Sequence, residues 1–374
     1  MKKAKLLVAS SEECADMLYL TGFRAPDPFA ALIHKNKTIL LLADLEMDRA
    51  RAESDADEVV SLSAIERLTI PPFSKKQPKF AKALACFLEV REIQAVDVPE
   101  KFPLGLARAL KKAGIKTRPV KGPFCPERAV KTEREVRMLR TAAGIAEAGM
   151  ARGFEVLAAS RIRKDGRLWW SGRMLTSERL RIEIETAVLH AGGQARGDTI
   201  VACGEQACDP HACGSGPLSA DSLIILDVFP RDAKTGYFGD ITRTVVRGRA
   251  SEAQRKLWQT CLEAQQRALA ALKPGADGQA MQQATRDDFA AAGYPTGVHE
   301  GRHRGFFHGL GHGLGLEIHE EPRVARANFQ EGVVVTIEPG IYWPGVGGVR
   351  HEDVALITAT GHQLLTSHPK PIEI

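Results

Sequence analysis

The chain predicts an α+β fold in two domains: a smaller α/β domain, then a larger one in which helices cover antiparallel hairpins. Three observations carry this. The length of 374 residues exceeds twice a typical domain of roughly 150. Three prolines and a glycine fall within the nine residues Arg118-Pro119-Val120-Lys121-Gly122-Pro123-Phe124-Cys125-Pro126, the strongest linker signal in the chain. The patterning also changes across that stretch. Short strand and helix signals alternate before it, whereas capped helices separated by β-rich runs follow it. The boundary is placed near residue 125, giving domains 1–125 and 126–374.

Before the linker, Ala30-Ala31-Leu32-Ile33 and Thr38-Ile39-Leu40-Leu41-Leu42 flank the polar turn His34-Lys35-Asn36-Lys37, a hairpin pattern. Helices are expected over 80–90 and 104–113, the second with Leu104, Leu106 and Leu110 at helical spacing. After the linker, Thr132-Glu133-Arg134-Glu135 is a capping box that opens a helix with Val136, Leu139 and Ile145 on one face. Further capped helices follow Ser177, run from Ser251 to Lys273-Pro274-Gly275, and run from Asp277 to Gly293-Tyr294-Pro295. The sheet comes from β-rich runs at 199–203, 223–229, 237–246, 333–338 and 348–357.

Composition excludes several classes. Hydrophobic residues at 44% and charged residues at 26% rule out a disordered chain. A net charge of +5 is too small and diffuse to imply a nucleic-acid partner. The basic, aromatic stretch Arg161-Ile162-Arg163-Lys164-Asp165-Gly166-Arg167-Leu168-Trp169-Trp170 stands alone, so it reads as a solvated loop or an oligomer contact. No apolar run is long enough to span a membrane, and the one after Met1-Lys2-Lys3 is too short for a secretory signal. Seven scattered cysteines suit a reducing compartment, so the expected location is cytoplasmic.

The chemistry lies in two hairpins. Leu223-Ile224-Ile225-Leu226-Asp227-Val228-Phe229 and Tyr237-Phe238-Gly239-Asp240-Ile241-Thr242-Arg243 flank a polar turn. Centring that turn between Ala233 and Lys234 opposes Asp227 to Asp240, roughly 5 Å apart at Cβ, where like charges repel. Val333 to Glu338 and Gly348 to Ile357 flank a second turn, and centring it on Gly345 opposes Glu338 to Glu352. Two such pairs inside apolar runs ask for a shared cation. Between the hairpins, His308, His312 and His319 fall within twelve residues that also hold four glycines, which let backbones approach closely. Four carboxylates carry a formal charge of −4, which two divalent cations balance. Oxygen donors with an imidazole suit Mn²⁺, Co²⁺, Fe²⁺ or Zn²⁺, and a pair of such ions is hydrolytic equipment.

These motifs resemble the pita-bread metallopeptidase family of Xaa-Pro aminopeptidases, prolidases and methionine aminopeptidases. The resemblance rests on Asp227 with Gly239-Asp240-Ile241-Thr242-Arg243-Thr244, on His308-Gly309-Leu310-Gly311-His312-Gly313 with His319-Glu320, on Ile337-Glu338-Pro339-Gly340-Ile341-Tyr342, and on Gly348-Val349-Arg350-His351-Glu352-Asp353. The first domain resembles the creatinase-type N-terminal domain through Leu18-Tyr19-Leu20-Thr21-Gly22-Phe23, which favours the proline-directed branch. The resemblance implies that Asp227 chelates one metal, His312 and Glu338 the other, and Asp240 and Glu352 bridge them. It implies attack by a metal-bridging hydroxide on an Xaa-Pro peptide, with Glu338 shuttling the proton and His319 binding and polarising the substrate. His211 is then an additional active-site histidine and His308 lines the pocket. Arg350 orients the acidic ligands and Arg323 lies near a dipeptide carboxylate. A homodimer, with Trp169 and Trp170 at an interface, is expected from the same source.

Two departures stand out. Phe229 occupies a position where the family commonly has glycine, and His351 one where an aliphatic residue is usual. Cys203, Cys208 and Cys213 around His211 lack the short spacing of a zinc knuckle and read as incidental thiols. The competing functions are a same-fold metal-dependent hydrolase or lyase acting on a small non-peptide substrate, and a non-catalytic binding protein.

Overall fold

The computed structural model describes residues 4–68 and 79–374. Residues 1–3, the basic start of the amino-terminal segment, and 69–78 lie outside the described residues. The chain divides into two compact units, Met1–Pro126 and Glu127–Ile374.

In the first unit, six strands form one mixed sheet in the order Glu58–Ser61, Lys37–Leu42, Phe29–His34, Lys5–Ala9, Ala95–Val98, Lys116–Pro119. The expected hairpin is present, and its two turn residues, Lys35 and Asn36, both take positive φ (52° and 61°). That is the two-residue turn whose twist matches the flanking strands. Side-chain alternation splits the core between the two faces. Leu6, Val8, Ala30, Leu32, Ile39 and Leu41 meet the helix Lys79–Glu89 on one side. Leu7, Ala31, Leu40 and Leu42 meet Met17 and Ala50, from the helices Ala15–Thr21 and Met47–Glu53, on the other. Burial on both faces explains strands that read as near-continuous apolar runs. The helix expected over 104–113 spans Leu104–Lys112, with Leu110 buried, but Leu104 opens its first turn and is exposed.

The second unit repeats one arrangement twice: a pair of helices over an antiparallel sheet. Glu133–Ala159, capped reciprocally by Thr132 and Glu135, and Ser177–His190 cover the strands Ile200–Cys203, Leu223–Val228 and Ile241–Val246. Glu252–Ala271, capped by Ser251 and Gln254, and Gly278–Ala291, capped by Asp277, cover Val334–Ile337 and Asp353–Ile357. The cap of Ser177–His190 is Thr176, one residue before the position expected, because its hydroxyl reaches the Arg179 amide at 3.3 Å.

The second hairpin has the expected register: Val334 to Ile337 pairs with Asp353 to Leu356, and Gly340 to Trp343 with Gly347 to Arg350. The run 348–357 is two strands rather than one, however. The ladders stop between Ile337 and Gly340, where Pro339 has no N–H to contribute. Glu338 and Glu352 face each other in that gap. In the first hairpin the register differs from expectation by two residues. Asp227 pairs with Thr242, and Asp240 lies just before the paired strand. The cause is local. The Asp232 carboxylate accepts from the Lys234 amide and the Thr235 hydroxyl, and this moves the reversal of the chain to between Lys234 and Thr235. A shift of two keeps every side chain on its face, so Asp240 remains diagonal to Asp227.

Candidate active site

Strand alternation aims the acids. Leu226 and Val228 point into the helix layer, which turns Ile225, Asp227 and Phe229 to the opposite face. Asp240 is seated by Gly239, where a Cβ would lie 2.1 Å from the Ala142 carbonyl oxygen, so only glycine allows this approach. His312 begins the short strand His312–Gly313 after Gly311, where a Cβ would stand 1.9 Å from the Thr336 carbonyl oxygen. The close approach expected of the glycines between His308 and His319 is thus present at Gly311. Glu338 and Glu352 enter from the gap between the two ladders.

Among the described residues, one group of three or more metal-ligating side chains has its donor atoms within 4.8 Å of one another: Asp240, His312 and Glu352, all buried. Glu338 Oε1 lies 3.2 Å from His312 Nε2, and Asp240 Oδ2 lies 3.8 Å from it. Asp227 joins through Arg350, whose Nη2 donates to Oδ2 at 2.6 Å, while Asp227 Oδ1 is buried without a hydrogen-bond partner. All five expected ligands therefore line one cleft of about 920 Å³, with Arg350, His211, His308, His319 and Arg323 on the same walls. Cys203, Cys208 and Cys213 form no such group among the described residues, and burial pushes the Cys208 thiol up to about 12.

The donor set fits a divalent cation. His312 Nδ1 lies 3.1 Å from the Gly313 carbonyl and must donate to it, because a carbonyl only accepts. In neutral imidazole this leaves a bare lone pair on Nε2, aimed at two carboxylates. Only a proton or a cation between them makes that arrangement favourable, and an N–H held by a backbone carbonyl is how metal-ligating histidines are oriented. The buried orphan Asp227 Oδ1 has the same need.

The electrostatics agree. Burial, then the other carboxylates, holds Asp240 and Glu352 well above the ordinary carboxylate range. Burial also acts upward on Glu338, but in the metal-free site, where a proton on His312 Nε2 fills that gap, the His312 hydrogen bond and charge outweigh it and bring the group to about 2. Glu338 is thus the carboxylate of the cluster held below the ordinary range, whereas burial, against Arg350, raises Asp227 as well. A carboxyl whose folded pKa is raised stabilises the fold below its unfolded pKa and loses that contribution as pH rises through the folded value. Chelator-stripped Glu352→Gln is therefore expected to melt higher than stripped wild type at pH 7.5. The gap should close toward pH 5 as wild type takes up protons. A stripped variant less stable than wild type at both pH values contradicts this.

Further residues complete the walls. His308 donates from Nδ1 to the Gly309 carbonyl at 2.8 Å, so its Nε2 accepts from the Tyr342 hydroxyl at 2.9 Å. That hydroxyl oxygen in turn accepts from Arg350 Nη1 at 2.9 Å. Burial, outweighing Glu338, lowers His308 to about 4. His319 stands edge-on to His312, ring centroids 4.4 Å apart, and desolvation, then His312, lowers it to about 4 as well. Both rings are neutral at pH 7. His211 and Arg323 are exposed to solvent in the cleft. Sequence reasoning missed Tyr342 and Thr242, whose hydroxyl donates to Glu352 at 2.7 Å. Each stands at even spacing from a predicted ligand, two residues after Asp240 and four after Glu338, which was the available signal. His351 points away from the cleft, fully buried and edge-on to Trp258 at 4.8 Å, as alternation between Arg350 and Glu352 requires.

Buried carboxylates converging on a histidine with a bare nitrogen define the site of a metal-dependent enzyme. The chain belongs to metallopeptidase family M24, which matches residues 137–359, and residues 1–128 match the creatinase/prolidase N-terminal domain. The fold is accordingly a pita-bread catalytic domain preceded by a creatinase-type α/β domain. The chain is 31% identical to the Xaa-Pro dipeptidase of Pyrococcus horikoshii over 358 residues, covering 94% of this chain and 90% of that protein. Among solved structures it is similar to the prolidase from Pyrococcus horikoshii, with TM-score 0.79, 28% identity, and coverage of 99% of this chain and 95% of that one. It is also similar to the X-Pro aminopeptidase from Thermotoga maritima, with TM-score 0.80, 25% identity, and coverage of 99% and 97%.

Proposed function

We propose that the protein hydrolyses Xaa-Pro peptide bonds, with dipeptides as its main substrates. The observation that carries this is the convergence of Asp227, Asp240, His312, Glu338 and Glu352 on one cleft that also holds Arg323. Those five residues are the proposed ligands of two divalent cations, Mn²⁺, Co²⁺, Zn²⁺ or Fe²⁺, which when bound supply Lewis-acid polarisation of the carbonyl and an acidified water. The chain's own residues do the rest. Ionised Glu338 takes the proton of the attacking water and delivers it to the leaving nitrogen. That delivery lets the nitrogen leave as the free amine of proline rather than as an amide anion. Neutral His319 donates a hydrogen bond to the substrate carbonyl side, with His211 across the cleft and His308 held by Tyr342 behind. Arg350, donating from Nη2, orients Asp227. Arg323 pairs with the free carboxylate of a dipeptide. Ile200, Phe229, Phe307 and Ile318 give the cleft an apolar wall suited to a pyrrolidine ring.

The deciding experiment is hydrolysis of Xaa-Pro dipeptides, Xaa-Pro-Yaa tripeptides and Xaa-Ala controls by protein reconstituted with Mn²⁺, Co²⁺ or Zn²⁺. Dipeptide cleavage is expected to exceed tripeptide cleavage, with Arg323→Ala removing the difference. Preferred cleavage of tripeptides replaces the dipeptidase reading with an aminopeptidase. No cleavage by metal-loaded protein overturns the peptidase reading and leaves a small non-peptide substrate. A homodimer in the cytoplasm is part of the same proposal, and light scattering after size exclusion tests the dimer.

A further inference from the structure

Behind the substrate cleft, Glu320, Lys131 and Arg128 form an ionic cluster that the proposed chemistry does not use. Its charges are withdrawn from water: the side chain of Lys131 is 0% exposed, that of Glu320 5% and that of Arg128 11%. The Glu320 carboxylate accepts from the Lys131 ammonium and, at 2.5 Å, from Arg128, which also reaches Glu317 at 2.8 Å. Burying such groups carries a desolvation cost that hydrophobic residues of the same volume avoid. A positional role accounts for it.

We propose that Glu320, clamped by Lys131 and Arg128, is a positioning residue that holds His319 and Arg323 in the cleft. The inference rests on the proposed function, in which those two side chains meet the substrate. Ile318, His319, Glu321 and Arg323 line the cleft, whereas Glu320, which opens the strand Glu320–Arg323, sends its carboxylate into the cluster. The backbone alone specifies this segment weakly. Its ladder to His312–Gly313 consists of two pairs, His312 with Arg323 and Gly313 with Glu320, and the register breaks between them. Pro322, inside the break, has no N–H to contribute. A slip of one residue would put Glu320 and Pro322 in the cleft in place of the present set. The clamp opposes that slip, since Glu320 cannot leave without stranding the buried Lys131. Lys131 is itself fixed: its amide donates to the Gly332 carbonyl at 2.7 Å and its ammonium to the Arg128 carbonyl. The fit is close, for a Cβ at Gly315 would stand 2.3 Å from the Glu320 carboxylate.

The test is the double variant Lys131→Met/Glu320→Gln, which removes both charges together and strands neither. Because misplaced binding groups weaken substrate capture, KM for an Xaa-Pro dipeptide is expected to rise about ten-fold or more. In that comparison kcat should stay within about three-fold and metal content should match wild type. An unchanged KM, or a loss confined to kcat, overturns the proposal. If the double variant does not fold, Glu320→Gln alone is read in the same way. If metal-loaded wild type cleaves no Xaa-Pro peptide, the peptidase reading fails separately, and hydrogen–deuterium exchange decides the anchor. Exchange over residues 314–327 is then expected to rise about ten-fold while that of Leu223–Val228 holds. Unchanged exchange over 314–327 overturns the proposal in that case.

Discussion

Glu338→Ala is expected to lower kcat/KM for an Xaa-Pro dipeptide by about 10³-fold or more, the scale of losing a general base together with a charge in the transition state. Glu338, brought to about 2, is the carboxylate of the cluster held below the ordinary range, and it faces His312 at 3.2 Å. Its neighbours Asp240 and Glu352 are pushed upward by burial and by the charges of Glu338 and Asp227. Glu338→Gln, which keeps the volume, should be nearly as impaired, separating loss of charge from loss of packing. Glu331→Gln, on an exposed loop, should match wild type. Retention of more than about a tenth of the wild-type value by Glu338→Ala contradicts the role, because acid–base groups contribute at least ~10².

Arg243→Met is expected to cost about 3–5 kcal/mol of stability, because it takes the donor away from the Thr242, Glu352 and His368 carbonyls, and a buried acceptor left unpaired costs about 1–3 kcal/mol; ~10 °C in melting temperature is the matching scale. Arg243 is 1% exposed and its guanidinium has five acceptor contacts: the Thr242 carbonyl at 2.9 Å, the Glu352 carbonyl at 2.5 Å, the His368 carbonyl at 2.7 and 3.1 Å, and Asp353 at 2.8 Å. Asp353 would keep Lys370, Gln265 and Thr366, while the Glu352 carbonyl would lose the donor that holds this ligand's backbone in the gap between the ladders. Urea unfolding with and without Mn²⁺ measures the effect. A loss below about 1 kcal/mol, the range of ordinary surface substitutions, contradicts the argument.

What could be read from the residues was what depends on short-range chemistry. The capping box at Thr132, the capped helix start at Ser251, the Lys35-Asn36 turn and the Gly345-centred register are local, and each is present as expected. The four acids proposed as ligands stood out because carboxylates inside apolar strands are conspicuous, and His312 because it lies in a glycine-rich histidine cluster; the structure brings all five to one cleft. The first hairpin's register was less so, since the turn is decided by which polar side chain captures the backbone, and Asp232 does so from inside the segment. Partners brought together by tertiary contact left no pattern at all. Lys131 and Glu320 are 189 residues apart, and Arg243 and Asp353 are 110 apart. Nothing in either neighbourhood marks these charges as buried rather than solvated.

On the reading proposed above, one cleft holds the metal centre on which peptide hydrolysis depends. Chelator-stripped protein titrated with Mn²⁺, with bound metal and Xaa-Pro dipeptide hydrolysis followed together, tests this. No hydrolysis is expected without metal; binding should saturate near two ions per chain, and activity should rise with that occupancy and be absent in Asp240→Asn. Hydrolysis that persists in the stripped protein, or full activity in Asp240→Asn, would contradict it.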